Sequence, residues 1–218
     1  MTTPITTQER SESIYDWFQL HTREAVWAGA VVAVLAVGGW FYMRSKELKE
    51  TRAEKAYFDA QRSVAAGNLP LAESDLRKMI ERYDGTPSAI EARLQLALVL
   101  YDQNKFQQGV DELKKKEGDI GSDRDYGSSV HLVIAGGLEQ LKKFKEAADE
   151  YEQAAKAARF DSDRQRYLAL AARAYATGGD TAKSEALWTD LGKDSKGTVA
   201  GEARVRLGEM TAAAQPKS

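Results

Sequence analysis

Four alanines, Ala60, Ala97, Ala135 and Ala172, stand 37, 38 and 37 residues apart, each at the same place in a recurring pattern of small and large apolar residues. A fixed period of this length marks a chain built by stacking one supersecondary unit. Seven residues beyond each alanine comes a turn pair: Gly67-Asn68, Asn104-Lys105, Lys142-Lys143 and Gly179-Asp180. Five further on the residue is small (Ala72, Gly109, Ala147, Ser184), and four beyond that it is large (Leu76, Leu113, Tyr151, Trp188). Small side chains at two fixed points let two helix backbones approach closely, and the large one fills the space between one helix pair and the next. Each unit is then a helical hairpin that cannot bury its apolar stripe alone and must stack on its neighbours. An irregular helical bundle has no reason to hold four such columns in register.

The pattern resembles the tetratricopeptide repeat over roughly residues 53 to 211. Repeat three (Ile134, Ala135, Leu138, Phe144, Ala147, Tyr151, Ala154) and repeat four (Ala171, Ala172, Tyr175, Ser184, Trp188, Leu191) match it best. In repeat two Lys116 falls where an apolar residue is expected, so that hairpin should end early. Glu202 to Gly208 echoes Glu91 to Ala97 and reads as a lone first helix closing the stack. The expected fold is all-α: one N-terminal transmembrane helix, then a tetratricopeptide-repeat-like α-solenoid of about four hairpins plus a C-terminal capping helix.

The transmembrane helix comes from the run Ala25 to Met43, nineteen residues without a charge. As a helix it rises about 28 Å, close to the thickness of bilayer hydrocarbon. Its strong apolar residues contribute about −2 to −4 kcal/mol to insertion, and no central charge cancels this. Trp27 at one end and Trp40, Phe41 and Tyr42 at the other suit the two interfaces, with Arg44 able to snorkel. A cleaved signal peptide would have a shorter apolar core and small residues at the cut site, so the segment reads as an uncleaved signal anchor. Ala25, Gly29 and Ala33 recur every four residues, a spacing that allows close contact with another membrane helix. The expected organisation is a polar segment over 1–24, the anchor over 25–43, the repeat domain over 44–211 and a disordered tail over 212–218.

Outside the span the chain is charge-rich and balanced, with 31 Lys plus Arg against 33 Asp plus Glu and a net charge of −2. No basic excess points to nucleic acid. There is no cysteine, which removes a lipoprotein anchor, disulfides and thiolate metal sites. Residues 7 to 21 could form a short helix with Ile14, Trp17 and Phe18 on one side, lying on the membrane surface. The stretch from Arg44 to Ala66 should carry the anchor into the first repeat helix. Thr86-Pro87 reads as a helix cap with proline at the first helical position, and Ser88 with Glu91 and Ser162 with Gln165 as capping boxes. Lys116 to Gly127, with three glycines, is the longest break and reads as a flexible loop.

Chemistry is sparse. Of the two histidines, His131 falls in a repeat helix where a large residue packs and reads as a satisfied core or groove histidine rather than a ligand, while His21 reads as solvated. Asp123-x-Asp125 and Asp161-x-Asp163 resemble the start of a calcium loop, but the loop glycine and the glutamate at position twelve are missing, so both read better as caps. No phosphate-cradling loop, nucleophile motif or paired-histidine helix occurs. No catalytic residue, metal, cofactor or small-molecule substrate is expected, and the chain reads as a binding protein. The repeat register places Tyr57, Gln61, Leu94, Leu98, Tyr101, Leu132, Gly136, Glu139, Arg166 and Arg173 in a groove lined by the first helices of the hairpins. This mixed apolar and aromatic surface suits apolar segments of partner proteins or unfolded chains.

A short polar lead, one anchor ending in Gly38-Gly39-Trp40-Phe41-Tyr42, a charged helix with Ala53, Ala56 and Tyr57, then degenerate hairpins together resemble the YfgM-type ancillary subunit of the bacterial SecYEG translocon. The resemblance implies a single-pass protein of the bacterial inner membrane, with a cytoplasmic N-terminus and periplasmic repeats. It implies as partners the SecYEG translocon, periplasmic chaperones and translocating polypeptides, besides the lipid bilayer itself. The sequence departs from that family in its basic residues: only Arg10 and Arg23 precede the anchor, while Arg44, Lys46, Lys49, Arg52 and Lys55 follow it. Counted alone, these charges turn the repeats toward the cytoplasm, as the scaffold of an unrelated membrane complex.

Overall fold

The computed structural model describes residues 22–121, 123–194 and 196–214. The readings of 7–21 and of His21 lie outside the described residues. Among the described residues there are ten helices and no strand: α1 (Thr22–Ala65), α2 (Leu69–Tyr83), α3 (Pro87–Asp102), α4 (Phe106–Lys114), α5 (Glu117–Ile120), α6 (Gly127–Gln140), α7 (Phe144–Lys156), α8 (Asp161–Thr177), α9 (Thr181–Lys193) and α10 (Ala200–Ala214). The chain divides into two units, residues 1–51 and 52–218.

The first unit holds the apolar part of α1. Val26, Trp27, Val31, Val32, Val34, Leu35, Val37, Trp40, Phe41, Tyr42 and Met43 are all exposed, so the described residues supply no cover for them. By length and composition this is a helix that can cross a membrane. Helix α1 runs unbroken to Ala65, as the pattern after Met43 predicts. On the anchor, the space where a Cβ would stand at Gly29 is open, and Ala33 is exposed; Ala25 lies in the same helix.

The second unit is the solenoid. Its hairpins are the end of α1 with α2, α3 with α4, α6 with α7 and α8 with α9, and α10 closes the stack. All four column alanines are buried, as are Ala72, Gly109, Ala147 and Ser184 and the four large residues that follow them. The core passes from hairpin to hairpin: one cluster joins Ala60, Leu76 and Leu96, the next Ala97, Leu113, Ile134 and Tyr175, and the last Ala172, Trp188 and Ala203. That is the nearest-neighbour packing expected of stacked repeats.

The turns obey one backbone rule. Gly67, Asn104, Lys142 and Gly179 have φ of 71°, 59°, 61° and 79°, the left-handed conformation that ends the first helix of each hairpin. Glycine and asparagine reach it easily, whereas lysine is placed there by its neighbours.

Helix starts divide between expectation and correction. Thr86 caps α3, its Oγ1 accepting from the Ala89 amide at 3.2 Å, with Pro87 in the first turn. Neither capping box carries its helix start: Glu91 accepts from the Tyr126 hydroxyl, and α8 begins after Phe160, with Gln165 accepting from the Thr198 amide and hydroxyl. Asp123 accepts from the amides of Asp125 and Tyr126, the cap-like role expected of it. Between Lys116 and Gly127 the open loop is replaced by α5, with Ile120, Gly121 and Gly127 buried and Lys116 paired to Asp84 at 3.2 Å. Helix α4 ends at Lys114, so the second hairpin does stop early. Residues 212–214 belong to α10.

Candidate protein-binding face

The ten groove residues lie on the first helices of the hairpins: Tyr57 and Gln61 on α1, Leu94, Leu98 and Tyr101 on α3, Leu132, Gly136 and Glu139 on α6, and Arg166 and Arg173 on α8. Gln61, Leu98, Arg166 and Arg173 are exposed, and the other six are half-buried. Leu98 is an aliphatic side chain left 43% exposed on a helix whose flanking Ala97 and Val99 are fully buried. The position where a Cβ would stand at Gly136 is open. Leu94 and Leu132 pack against the central core with one side and are open with the other.

Other members of the set are engaged within the chain. Tyr101 donates its hydroxyl to the Val133 carbonyl at 3.0 Å, and burial drives its phenol pKa well upward. Its ring also occupies the space where a Cβ would stand at Gly109 and Gly137. Glu139 accepts from the Tyr151 hydroxyl at 3.1 Å. Arg166 lies over the Tyr167 ring, 5.1 Å from its centre, and pairs with Asp163. Arg173 donates from two nitrogens to both carboxylate oxygens of Glu202 on α10, and these bonds hold the Glu202 carboxyl below its usual range. A bidentate pair of this kind fixes both side chains.

Two residues outside the predicted set belong to the same face. Glu91 on α3 accepts from Tyr126 at 3.1 Å, and it also contributes, after burial, to the raised pKa of Tyr57. In the sequence Glu91 reads as a capping partner and as the start of a repeat helix, and Tyr126 lies in the glycine-rich break. The sequence signal available was the tyrosine itself, a large side chain in a stretch otherwise made of turn formers. The face therefore presents aliphatic patches at Leu94, Leu98 and Leu132 between polar residues already tied to one another. Such a surface is suited to apolar contact, and the Gln61 side chain is already hydrogen-bonded to Tyr57.

The tetratricopeptide repeat-like domain family matches residues 16–166, more than half of the chain. The chain belongs to the tetratricopeptide repeat-like family. Helices α8 to α10 reach beyond the matched segment and continue the same hairpin pattern. Among solved structures, the chain is similar to a Podosopora anserina protein of kinesin-light-chain type with nearly identical TPR-like repeats, and to a variant of it. Each superposes with a TM-score of 0.56 at 17% identity, over 73% of this chain and 85% of that one. BtubC (BKLC) from P. vanneervenii gives a weaker superposition, with a TM-score of 0.49 at 17% identity over 98% of this chain and 96% of its own. These likenesses concern the fold. No curated protein matches the chain.

Proposed function

We propose that this chain is a non-enzymatic, membrane-anchored adaptor that binds proteins through the first-helix face of its repeats and serves the SecYEG translocon. In this reading it lies in the bacterial inner membrane with a periplasmic repeat domain, passing translocating polypeptides to periplasmic chaperones. The observation that carries the binding role is Leu98, an exposed leucine on a stacked repeat helix and flanked by half-buried Leu94. Family membership supports a protein-interaction scaffold, and the apolar run of α1 supports an anchor. The translocon and chaperones rest on the resemblance of the anchor, the charged helix and the degenerate hairpins taken together. Close contact of the anchor with a translocon helix through Ala25, Gly29 and Ala33 belongs to the same proposal.

One observation favours a second reading, a cytoplasm-facing scaffold of an unrelated membrane complex: five basic residues follow the span within a dozen positions, against two ahead of it. A reporter fused to the C-terminus that fluoresces only in the cytoplasm separates the two. Dark cells support the periplasmic adaptor and bright cells reject it. For partners, a photo-crosslinker at Leu94 should trap translocon subunits, chaperones or nascent chains, and Leu98→Arg in the same chain should abolish those adducts. Adducts with unrelated cytoplasmic proteins alone would remove the translocon assignment.

A further inference from the structure

The break in the repeat between the second and third hairpins carries Glu117 back onto the stack. Because α4 stops at Lys114, the four-residue α5 turns there and places Glu117 beside His131 of α6 and Glu150 of α7. Each of the three offers one ligand atom, and these atoms all lie within 4.8 Å of one another. His131 Nδ1 is 2.8 Å from Glu150 Oε2 and 3.7 Å from Glu117 Oε1. The side chains of His131 and Glu150 are 9% and 10% exposed, and that of Glu117 is 30%. They line an open cleft of about 660 Å³ together with Gly118, Gly121, Asp149 and Gln153.

We propose that Glu117, His131 and Glu150 form a binding site for a divalent cation of the zinc class. In a tetrahedral zinc site with ligands at about 2.0–2.1 Å, neighbouring ligand atoms stand roughly 3.3 Å apart. The two distances from Nδ1 bracket that spacing, so closure of the side-chain ends assembles three corners and leaves the fourth for water. An ion pair of His131 with Glu150 explains only part of this arrangement. It leaves the Glu117 carboxylate turned toward the same nitrogen but beyond hydrogen-bonding distance.

The surroundings fit a cation. Lys114 Nζ lies 3.4 Å from Oε1 of Glu150, the oxygen away from the site, and its side chain is half-exposed. Glu150 can therefore hold the ammonium with one oxygen and a metal with the other. With neutral imidazole, two carboxylates against one ammonium leave the cluster negative, while Asp149 is offset by Lys183, and this balance favours a dication. Gly121 keeps the imidazole in place: a Cβ there would stand 2.8 Å from Nε2 and 2.6 Å from the Glu117 carbonyl. A bound ion would tie α5 to α6 and α7 across the one interrupted repeat junction.

The test uses the full chain in detergent, stripped with a chelator and titrated with Zn²⁺ by calorimetry, with thermal unfolding in parallel. One Zn²⁺ per chain is expected, with a higher Tm on saturation. Co²⁺ in its place should give the intense visible bands of a four-coordinate site. Glu117→Gln should weaken binding at least about tenfold. That residue is part-exposed on a short helix, so the variant should keep the fold, which metal-free unfolding checks. His131→Gln should abolish binding, and His21→Gln, the only other histidine, should leave it unchanged. No Zn²⁺ bound to the unaltered chain, or equal binding by the chain and Glu117→Gln, overturns the site.

Discussion

The Tyr101 hydroxyl donates to the main-chain carbonyl of Val133 across 3.0 Å, so a side chain of the second hairpin is bonded to the backbone of the third. That contact exists because two glycines clear the way. A Cβ at Gly137 would meet the Tyr101 hydroxyl, and would lie 2.6 Å from its Cζ and 2.6 Å from Val110 Cγ2. Gly137→Ala should therefore destabilise the domain by about 2 kcal/mol through overpacking, a loss the better helix propensity of alanine offsets only in part. The midpoint of thermal unfolding should fall by about 4–8 °C. Adding Tyr101→Leu should recover part of that loss, giving a coupling energy in the double-mutant cycle. Additive losses would show that ring and glycine do not oppose each other.

Lys142 is the one turn residue whose backbone conformation its side chain disfavours, with φ of 61°. Lys142→Gly should stabilise the domain by about 0.5–1 kcal/mol, since the left-handed strain removed slightly exceeds the chain entropy glycine adds. Gly179→Ala is the converse experiment. Its φ is 79° and the space around a Cβ there is open, so any cost is backbone strain alone, about 1 kcal/mol. Chemical denaturation of the two variants should move the midpoint in opposite directions.

These turns were legible in the sequence, as were the alanine columns and the large residues behind them, because all are set by side-chain size at a fixed period. The roles that could not be read depend on partners far along the chain. Tyr101 sits at a groove register, yet Gly109 and Gly137 draw its ring between hairpins, and nothing local to Tyr101 announces them. Ser162 and Gln165 have the spacing of a capping box, but Gln165 finds Thr198 and Asp194 some thirty residues on. Arg173 and Glu202 are both ordinary surface charges until α10 folds beside α8. Of the core and groove positions open to His131 in the sequence, the fold takes the buried one, while the arrival of Glu117 beside it required the early end of α4 to turn into α5.

Ser184 fills the small-residue column of the fourth hairpin, where earlier hairpins have Ala72, Gly109 and Ala147. It is fully buried, and its hydroxyl oxygen has no hydrogen-bond partner. A hydroxyl taken from water without compensation costs about 1–3 kcal/mol, and alanine occupies nearly the same volume. Ser184→Ala should thus raise stability by about 1 kcal/mol, read as a higher denaturation midpoint with an unchanged slope. A lower midpoint would mean that the hydroxyl is satisfied in solution.

Alkaline pH should weaken the fold through its tyrosines. Burial, followed by the hydrogen bond to Glu91, pushes the Tyr126 phenol up to about 12 from its ordinary 10.0. Tyr101, Tyr151 and Tyr175 are shifted in the same direction, chiefly by burial, with Glu139 adding to it at Tyr151 and Asp149 and Glu152 at Tyr175. In the unfolded chain these phenols lose their protons near pH 10, while the folded chain still holds them. The folded state then binds more protons, so stability, level below pH 10, declines as pH rises from 10 through about 12. Titration followed by phenolate absorbance should show Tyr101, Tyr126, Tyr151 and Tyr175 held back beyond the ordinary phenol value until the chain unfolds. Glu91→Gln removes the hydrogen-bonded carboxylate from Tyr126 and should bring its ionisation down toward the ordinary phenol value. Ionisation of these four tyrosines near pH 10, with helical signal intact, would contradict the burial of their side chains.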